Sequence, residues 1–396
     1  MTVAAKTRDP RMTPRLSRTT RATVAMLFVG MAIFSGLYST QAMLPVLVDQ
    51  LGLSSTEAAM TVSAATGGMA LCVVPASILS ERYGRGRVLV ISTLGAAILG
   101  LLVPLATTGW ALILLRGLQG AVMAGAPATA MAWLSEELDA HALPKAMGIY
   151  IAGNSVGGLT GRLIPTGAAE FMDWHGAIWC SSAVSFIFAV LVWVMLPKQE
   201  RFHAKEIHLR TETQAIFGHW RNPRLALLFA TGFLVMGTFV SLYNFIGFRL
   251  IEHFGMPPVL AGLIFLLYLT GTWSSARAGA FITQYGRHRV LVVTCLLMVV
   301  GAACTAGPLW LVLLGMALFT AGFFAAHSTA SGWVGALATH DRAEASSMYV
   351  FCYYMGSSIV GALTGWAFDV VPWVGYAFIL AALGGVVTVV AHNISD

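Results

Sequence analysis

The octapeptide Tyr83-Gly-Arg-Gly-Arg-Val-Leu-Val90 returns as Tyr285-Gly-Arg-His-Arg-Val-Leu-Val292, with seven identities in eight at an offset of 202 in a chain of 396 residues. An echo spaced at about half the chain length marks a duplicated unit. Around it the chain is 57% apolar and only 10% charged, with a mean hydropathy of +0.77, outside the range of soluble domains. Working outward, apolar segments cover about 23–48, 55–80, 87–107, 109–134, 143–168 and 174–196, then about 223–248, 258–283, 288–306, 308–334, 343–367 and 371–391. A bilayer-spanning helix takes about 20 apolar residues, so twelve spans leave no room for a sizeable soluble domain. Lipid cannot satisfy backbone N–H and C=O groups, so each segment must close its own hydrogen bonds as a helix. The alternation expected of barrel strands is missing.

The sequence therefore predicts an all-α membrane protein of twelve transmembrane helices in two six-helix halves. Both octapeptides follow the second segment of their half, so the halves point the same way, as in the parallel repeats of secondary transporters. The divisions are a basic tail over 1–22, a first half over 23–196, a linker over 197–222 and a second half over 223–396. Ser54 through Glu57 fits a capping box, and Pro257-Pro258 suits a first helical turn. Weaker echoes pair Tyr150 and Gly157 with Tyr349 and Gly356.

A net charge of +6 suggests nucleic acid only if the basic residues share one face of a compact domain, and here they sit between hydrophobic runs. Placing the N-terminus in the cytoplasm puts 20 of the 23 Lys and Arg residues on that side, as the positive-inside rule requires. The expected location is the inner membrane, multi-pass, with both termini cytoplasmic. The apolar run after the basic tail is too long for a signal peptide. The five cysteines lie in apolar stretches without metal spacing and read as packing residues. No metal site and no cofactor is expected.

Polar residues inside the spans are the candidates for function, because each is costly there unless it faces protein or water. Arg116 should enter the central cavity or an interhelical bond network, with Gln119 one turn on. All 17 acidic residues map to loops, helix ends or termini, with Asp49 and Asp369 the nearest approaches. A solute could therefore supply the anionic group that Arg116 lacks, and the first span offers Tyr38 and Gln41 in place of an acid. His327, alone among the histidines in an apolar span, is the coupling candidate because imidazole titrates near neutral pH. Asn154, Asn244, Tyr268 and Tyr353 complete the expected cavity lining. Gly153, Gly157 and Gly161 share one helical face, on which another helix can approach to backbone contact. Arg162 is either a gate paired with Glu170 or Asp173 or a snorkelling side chain.

Several stretches resemble the major facilitator superfamily, and within it the YnfM-type, arabinose-efflux-permease-like inner-membrane transport proteins. They are Ser135-Glu-Glu137, Gly153-Asn-Ser155 with Gly157-Gly158, Gly161-Arg-Leu163, Tyr268 through Ser275, and Ala321 through Ser328. The family's loop motif G-x-x-x-D-x-x-G-R-K is similar to Ser77-x-x-x-Glu81-x-x-Gly84-Arg85-Gly86, and the second copy keeps Gly286 and Arg287 without the acid. Arg116-Gly-Leu-Gln119-Gly120 matches its R-x-x-Q-G pattern. Gly153 through Gly158 is close to G-P-x-x-G-G, with Asn154 in place of Pro.

The resemblance implies an exporter of a small polar or organic solute (sugar, drug or organic anion) working by alternating access. Protons are a candidate exchange partner. Glu81, Gly84, Arg85, Gly286 and Arg287 would form gating latches, and Gly153, Gly157, Gly158 and Gly161 the packing face between the halves. A coupled importer is the alternative. An enzyme lacks any grouped catalytic residues in the spans, and a sensor lacks a signalling domain.

Overall fold

The computed structural model describes residues 17–204, 218–339 and 342–394. Lys6, Arg8, Arg11, Arg15, Lys205 and Arg210, expected in the tail and linker, lie outside the described residues. Those described form twelve helical rods: α1 Arg18–Leu51, α2 Ser55–Tyr83, α3 Arg85–Leu105, α4 Gly109–Glu137, α5 Leu143–Ala168, α6 Trp174–Met195, α7 Pro223–His253, α8 Pro258–Tyr285, α9 Arg287–Cys304, α10 Leu309–Leu337, α11 Arg342–Val370 and α12 Trp373–His392. No strand occurs among the described residues. Ten of the rods are long and apolar enough to cross a membrane. The two that fall short, α5 and α11, are the fifth members of their halves and carry glycine and polar residues inward.

Local sequence explains the ends. The Ser54 hydroxyl accepts the Glu57 N–H while the Glu57 carboxylate accepts the Ser54 N–H, the capping box expected at the start of α2. The tight turns use left-handed glycines in two repeat-related pairs, Gly52 with Gly255 and Gly84 with Gly286. At Gly84 (φ 100°) and Gly286 (φ 83°) a side chain would strain the α2–α3 and α8–α9 turns.

The duplication is visible in the packing. Helix α5 lies on α1 as α11 lies on α7. A methyl group at Gly157 would sit 2.6 Å from Met31 Cα. Its counterpart Gly356 meets the backbone of Phe233 on α7. Gly153 and Gly161 likewise abut the backbone of Leu27 and Ser35 on α1. This corrects the expected packing between halves: Gly153, Gly157 and Gly161 seat α5 on a helix of its own half, while Gly158 faces Arg162 and Tyr38. The α5–α8 contact uses Gly262 against Thr166 instead.

Large apolar side chains point outward all around the molecule, Ile91, Leu114, Trp193 and Leu363 among them. That is the surface expected where the solvent is lipid. Cys295 and Cys352 are buried, and Cys72, Cys180 and Cys304 are half-buried.

Candidate functional site

Helix α1 is not continuous. Its regular part ends at Tyr38, a 3-10 turn covers Gln41–Met43, and the helix resumes at Leu44–Leu51 with Pro45 in its first turn. Proline lacks the N–H that would have reached Gln41 O, and of the last carbonyls before the break Gly36 O keeps a long bond from the Ser39 N–H at 3.5 Å and one from the Ser39 hydroxyl at 3.0 Å. Arg116 of α4 takes those carbonyls. Its Nη1 donates to Gly36 O at 2.8 Å and to Gln119 Oε1 at 2.5 Å, its Nη2 donates to Leu37 O, and its Nε donates to Thr61 O at 3.2 Å. Gln119 Nε2 passes the chain on to Ala96 O at 3.2 Å. Both side chains are fully enclosed. Of the two expected places for Arg116, a cavity wall or an interhelical bond network, it occupies the second, and Gln119 with it: the guanidinium sits at the end of the broken helix, where a cation also meets the negative end of the helix dipole, and binds α1, α2 and α4 together.

The cation between the halves is Arg162. Its Nε and Nη2 donate to Gln41 Oε1 at 2.9 and 2.6 Å, its Nη1 to Gly158 O at 2.5 Å, and its Nη2 to Tyr268 Oη at 2.9 Å. Three rings surround the guanidinium, with Tyr38, Tyr268 and Phe265 centroids 4.0, 4.6 and 4.9 Å from its central carbon. Cation–π attraction of this kind strengthens as water is excluded, and Arg162 is 1% exposed. Gln41 Nε2 then donates across the interface to Asn244 Oδ1 at 2.8 Å. Among the described residues no carboxylate pairs with Arg162. The expected partners do not reach it: Asp173 caps α6 by accepting the Gly176 N–H at 2.9 Å, and Glu170 is exposed.

Helix α8 is also interrupted, by a 3-10 stretch over Leu263–Leu267 immediately before Tyr268. Helices broken near a site are a mark of transporter binding regions. Thr40 Oγ1, Ser63 Oγ, Asn154 Oδ1, Asn244 Nδ2 and Ser357 Oγ are buried here without a protein hydrogen-bond partner. From Arg162 an aromatic lining continues through Phe239, Tyr243 and Phe324 to His327, whose ring lies 4.5 Å from that of Tyr353. His327 Nδ1 and the Tyr349 hydroxyl are 3.0 Å apart. Asn154, Tyr268, His327 and Tyr353 are half-buried, and Asn154 packs on Gly30 of α1.

The two ends of the molecule differ. At the end carrying the α1–α2, α5–α6, α7–α8 and α11–α12 connections, the halves are tied by Gln41–Asn244, Arg162–Tyr268 and Thr56–Asp369. At the end carrying Gly84 and Gly286, no hydrogen bond between halves occurs among the described residues. Among the described residues, its ion pairs lie within the first half and the segment that follows it. Arg85 pairs with Glu136 at 2.5 Å and Glu81 at 3.6 Å. Glu137 accepts from Arg18 Nη2 at 2.5 Å and from the Glu200 and Arg201 N–H groups at 2.9 and 2.8 Å. In the second copy Arg287 is exposed. Of the residues expected to form a latch, Glu81, Gly84 and Arg85, it is Arg85 that engages Glu136. The Glu136-Glu137 pair closing α4 was its sequence signal.

Comparison with known proteins is decisive for the family. Residues 26–276 match the model for the Major Facilitator Superfamily. The inner membrane transport protein YnfM of Escherichia coli (strain K12) is 38% identical, covering 92% of this chain and 88% of that protein. An uncharacterized transporter of Buchnera aphidicola subsp. Schizaphis graminum is 35% identical, covering 91% and 88%. A crystal structure of a point mutant of the nucleoside transporter NupG superposes with a TM-score of 0.80 over 96% of this chain and 100% of that one, at 14% identity. The twelve rods, the parallel duplication and these matches lead to one conclusion: this chain belongs to the major facilitator superfamily of membrane transporters.

Proposed function

We propose that the chain is a secondary active transporter of small organic anions, acting as an exporter by rocking α1–α6 against α7–α12 so that a central site opens to one side at a time. The observation that carries this reading is Arg162, a guanidinium enclosed between the halves whose charge no carboxylate among the described residues balances. A cation in that setting favours an anionic solute, and the rings of Tyr38, Tyr268 and Tyr353 offer flat apolar faces to its organic part. Arg162, Gln41, Asn244 and Tyr268 form the closed gate at one end of the site. His327 is the candidate for proton coupling. The distribution of Lys and Arg supports cytoplasmic termini, with the conformation described here opening toward the cytoplasm. Export is the working direction, supported by likeness to YnfM-type proteins. Import is the alternative, because alternating access runs down whichever gradient prevails.

Ligand-induced thermal stabilisation tests the solute class. A ligand at 100 times its Kd adds about 2.7 kcal/mol to the folded state. Small carboxylates and organic phosphates should raise the melting temperature of the wild type, and neutral or cationic analogues of the same shape should not. Stabilisation by cations alone, or equal stabilisation of Arg162→Gln, overturns the reading. Hits are then assayed for flux in vesicles under an imposed pH gradient. Rates independent of pH in both wild type and His327→Gln would remove His327 from coupling.

A further inference from the structure

The first octapeptide forms something that the second does not. Between the α2–α3 turn and the segment leaving α6 lies a groove of about 740 Å³. Three cations line it, Arg82, Arg87 and Lys198, all exposed. None of their side chains has a hydrogen bond or an acidic partner among the described residues; Arg82 touches only the ring of Tyr83, at 5.7 Å. Beside the cations the wall is apolar. Tyr83 is 54% exposed and Ile91, two turns into α3, is 68% exposed. Because α2 and α3 are both of membrane-crossing length, the turn between them sits at the boundary where hydrocarbon meets water.

The far wall is held in place. Gln199 Oε1 accepts the Gly86 N–H at 3.0 Å, and Gln199 Nε2 donates to Glu136 Oε2 at 3.1 Å. Glu137, whose side chain is 0% exposed, fixes residues 200 and 201 through their backbone N–H groups. Gly86 packs closely in this closure: a methyl group there would lie 3.1 Å from Trp133 Nε1 and in ordinary contact with Gln199 Oε1 at 3.5 Å. At the one position where the octapeptides differ, the second copy has His288. Its Nδ1 lies 2.8 Å from Ile394 O, so the end of the second bundle is tied down instead of opened.

We propose that this groove binds the phosphate of an anionic phospholipid, with Arg82, Arg87 and Lys198 around the headgroup and an acyl chain running along Tyr83 and Ile91. Three unpaired cations match a phosphodiester, and the exposed apolar side gives the chain a path into the bilayer, which a water-soluble phosphate would not use. Basic pockets at helix ends are suited to such headgroups, and each cation near an anionic surface contributes about 1 kcal/mol. Neutral zwitterionic lipid places its own ammonium near the cations and is disfavoured.

The test uses full-length protein in neutral detergent, titrated separately with dioleoyl-phosphatidylglycerol, dioleoyl-phosphatidylcholine and glycerol 3-phosphate, with bound adducts followed by native mass spectrometry. One phosphatidylglycerol should be retained at least about tenfold more tightly than phosphatidylcholine, and any glycerol 3-phosphate adduct, which the transport site could hold, should be insensitive to the groove substitutions. The triple variant Arg82→Gln/Arg87→Gln/Lys198→Gln should lose that preference. The control Arg221→Gln/Arg224→Gln/Arg277→Gln, which removes three exposed cations from the same end, should keep it. Should the first triple variant melt early, Arg87→Glu alone carries the comparison and should weaken retention severalfold. Equal retention of both lipids, equal loss in both triple variants, or a glycerol 3-phosphate adduct that the groove substitutions abolish would each overturn the proposal.

Discussion

Arg116 and Arg162 are both guanidiniums enclosed within membrane-spanning helices, yet they stand in opposite relations to the moving parts. Arg116 spends its donors on backbone carbonyls of α1 and α2 and on Gln119, all inside the first half. Arg162 holds Gln41 in its own half and reaches Tyr268 in the other, enclosed by rings from both. The first is part of the frame. The second lies on the seam that must part. Burial and charge alone do not separate a structural arginine from a functional one; the ownership of its acceptors does.

That contrast can be broken experimentally. The largest effect is expected from Arg116→Leu, which removes the guanidinium bonds to the Gly36, Leu37 and Thr61 carbonyls and to Gln119 and should cost about 3–5 kcal/mol. Loss of the monodisperse peak in detergent would register it, and a folded, fully stable variant would move Arg116 out of the frame. Gly157→Leu should follow at about 2–4 kcal/mol, because even its Cβ meets Met31 Cα at 2.6 Å; a matching loss at Gly356→Leu would extend the duplication from geometry to energetics.

Arg162→Gln should leave the melting temperature of the solute-free protein within a few degrees and reduce flux at least about tenfold. Arg162→Lys should rescue little of it, since a point ammonium cannot span Gln41 and Tyr268 as the guanidinium fork does. Smallest of all, Thr56→Val should remove an exposed hydrogen bond to Asp369 worth about 0.5–1.5 kcal/mol. It should shift the population toward the state open at that end, read by labelling of a cysteine placed near Gln41. The Thr56 N–H still reaches Asp369 Oδ2 at 3.3 Å in that variant, so an unchanged population would show that the hydroxyl bond does not hold the seam.

Much of the fold was legible because the bilayer demands long apolar runs and because the octapeptide repeats in register. The capping box of α2 and the glycine turns follow from local chemistry and appear where their residues predict. The breaks were harder to see. Nothing in Ser39-Thr40-Gln41 marks an interruption, and the one clue, Pro45, stands four residues later. Without the break the carbonyls that Arg116 bonds are invisible, so the sequence leaves open whether the side chain meets a solute or an interhelical network. Likewise the glycine face of α5 announces close approach but not which helix approaches. Tyr38, Gln41, Asn244 and Tyr268 were identifiable as polar residues in apolar spans. Their convergence on Arg162 depends on two helices unwinding at the same depth, a tertiary fact that no single segment carries.

The closed seam is fastened by amide, hydroxyl, ring and guanidinium contacts, and the one carboxylate among them, Asp369, is bonded to a threonine. Among the described residues, no pair of opposite formal charges has to be pulled apart when it opens. Dissolved salt should therefore have little purchase on that step, and water entering the gap can replace each neutral partner as it leaves. Such a closure is suited to frequent cycling, because what it loses on parting the solvent largely restores.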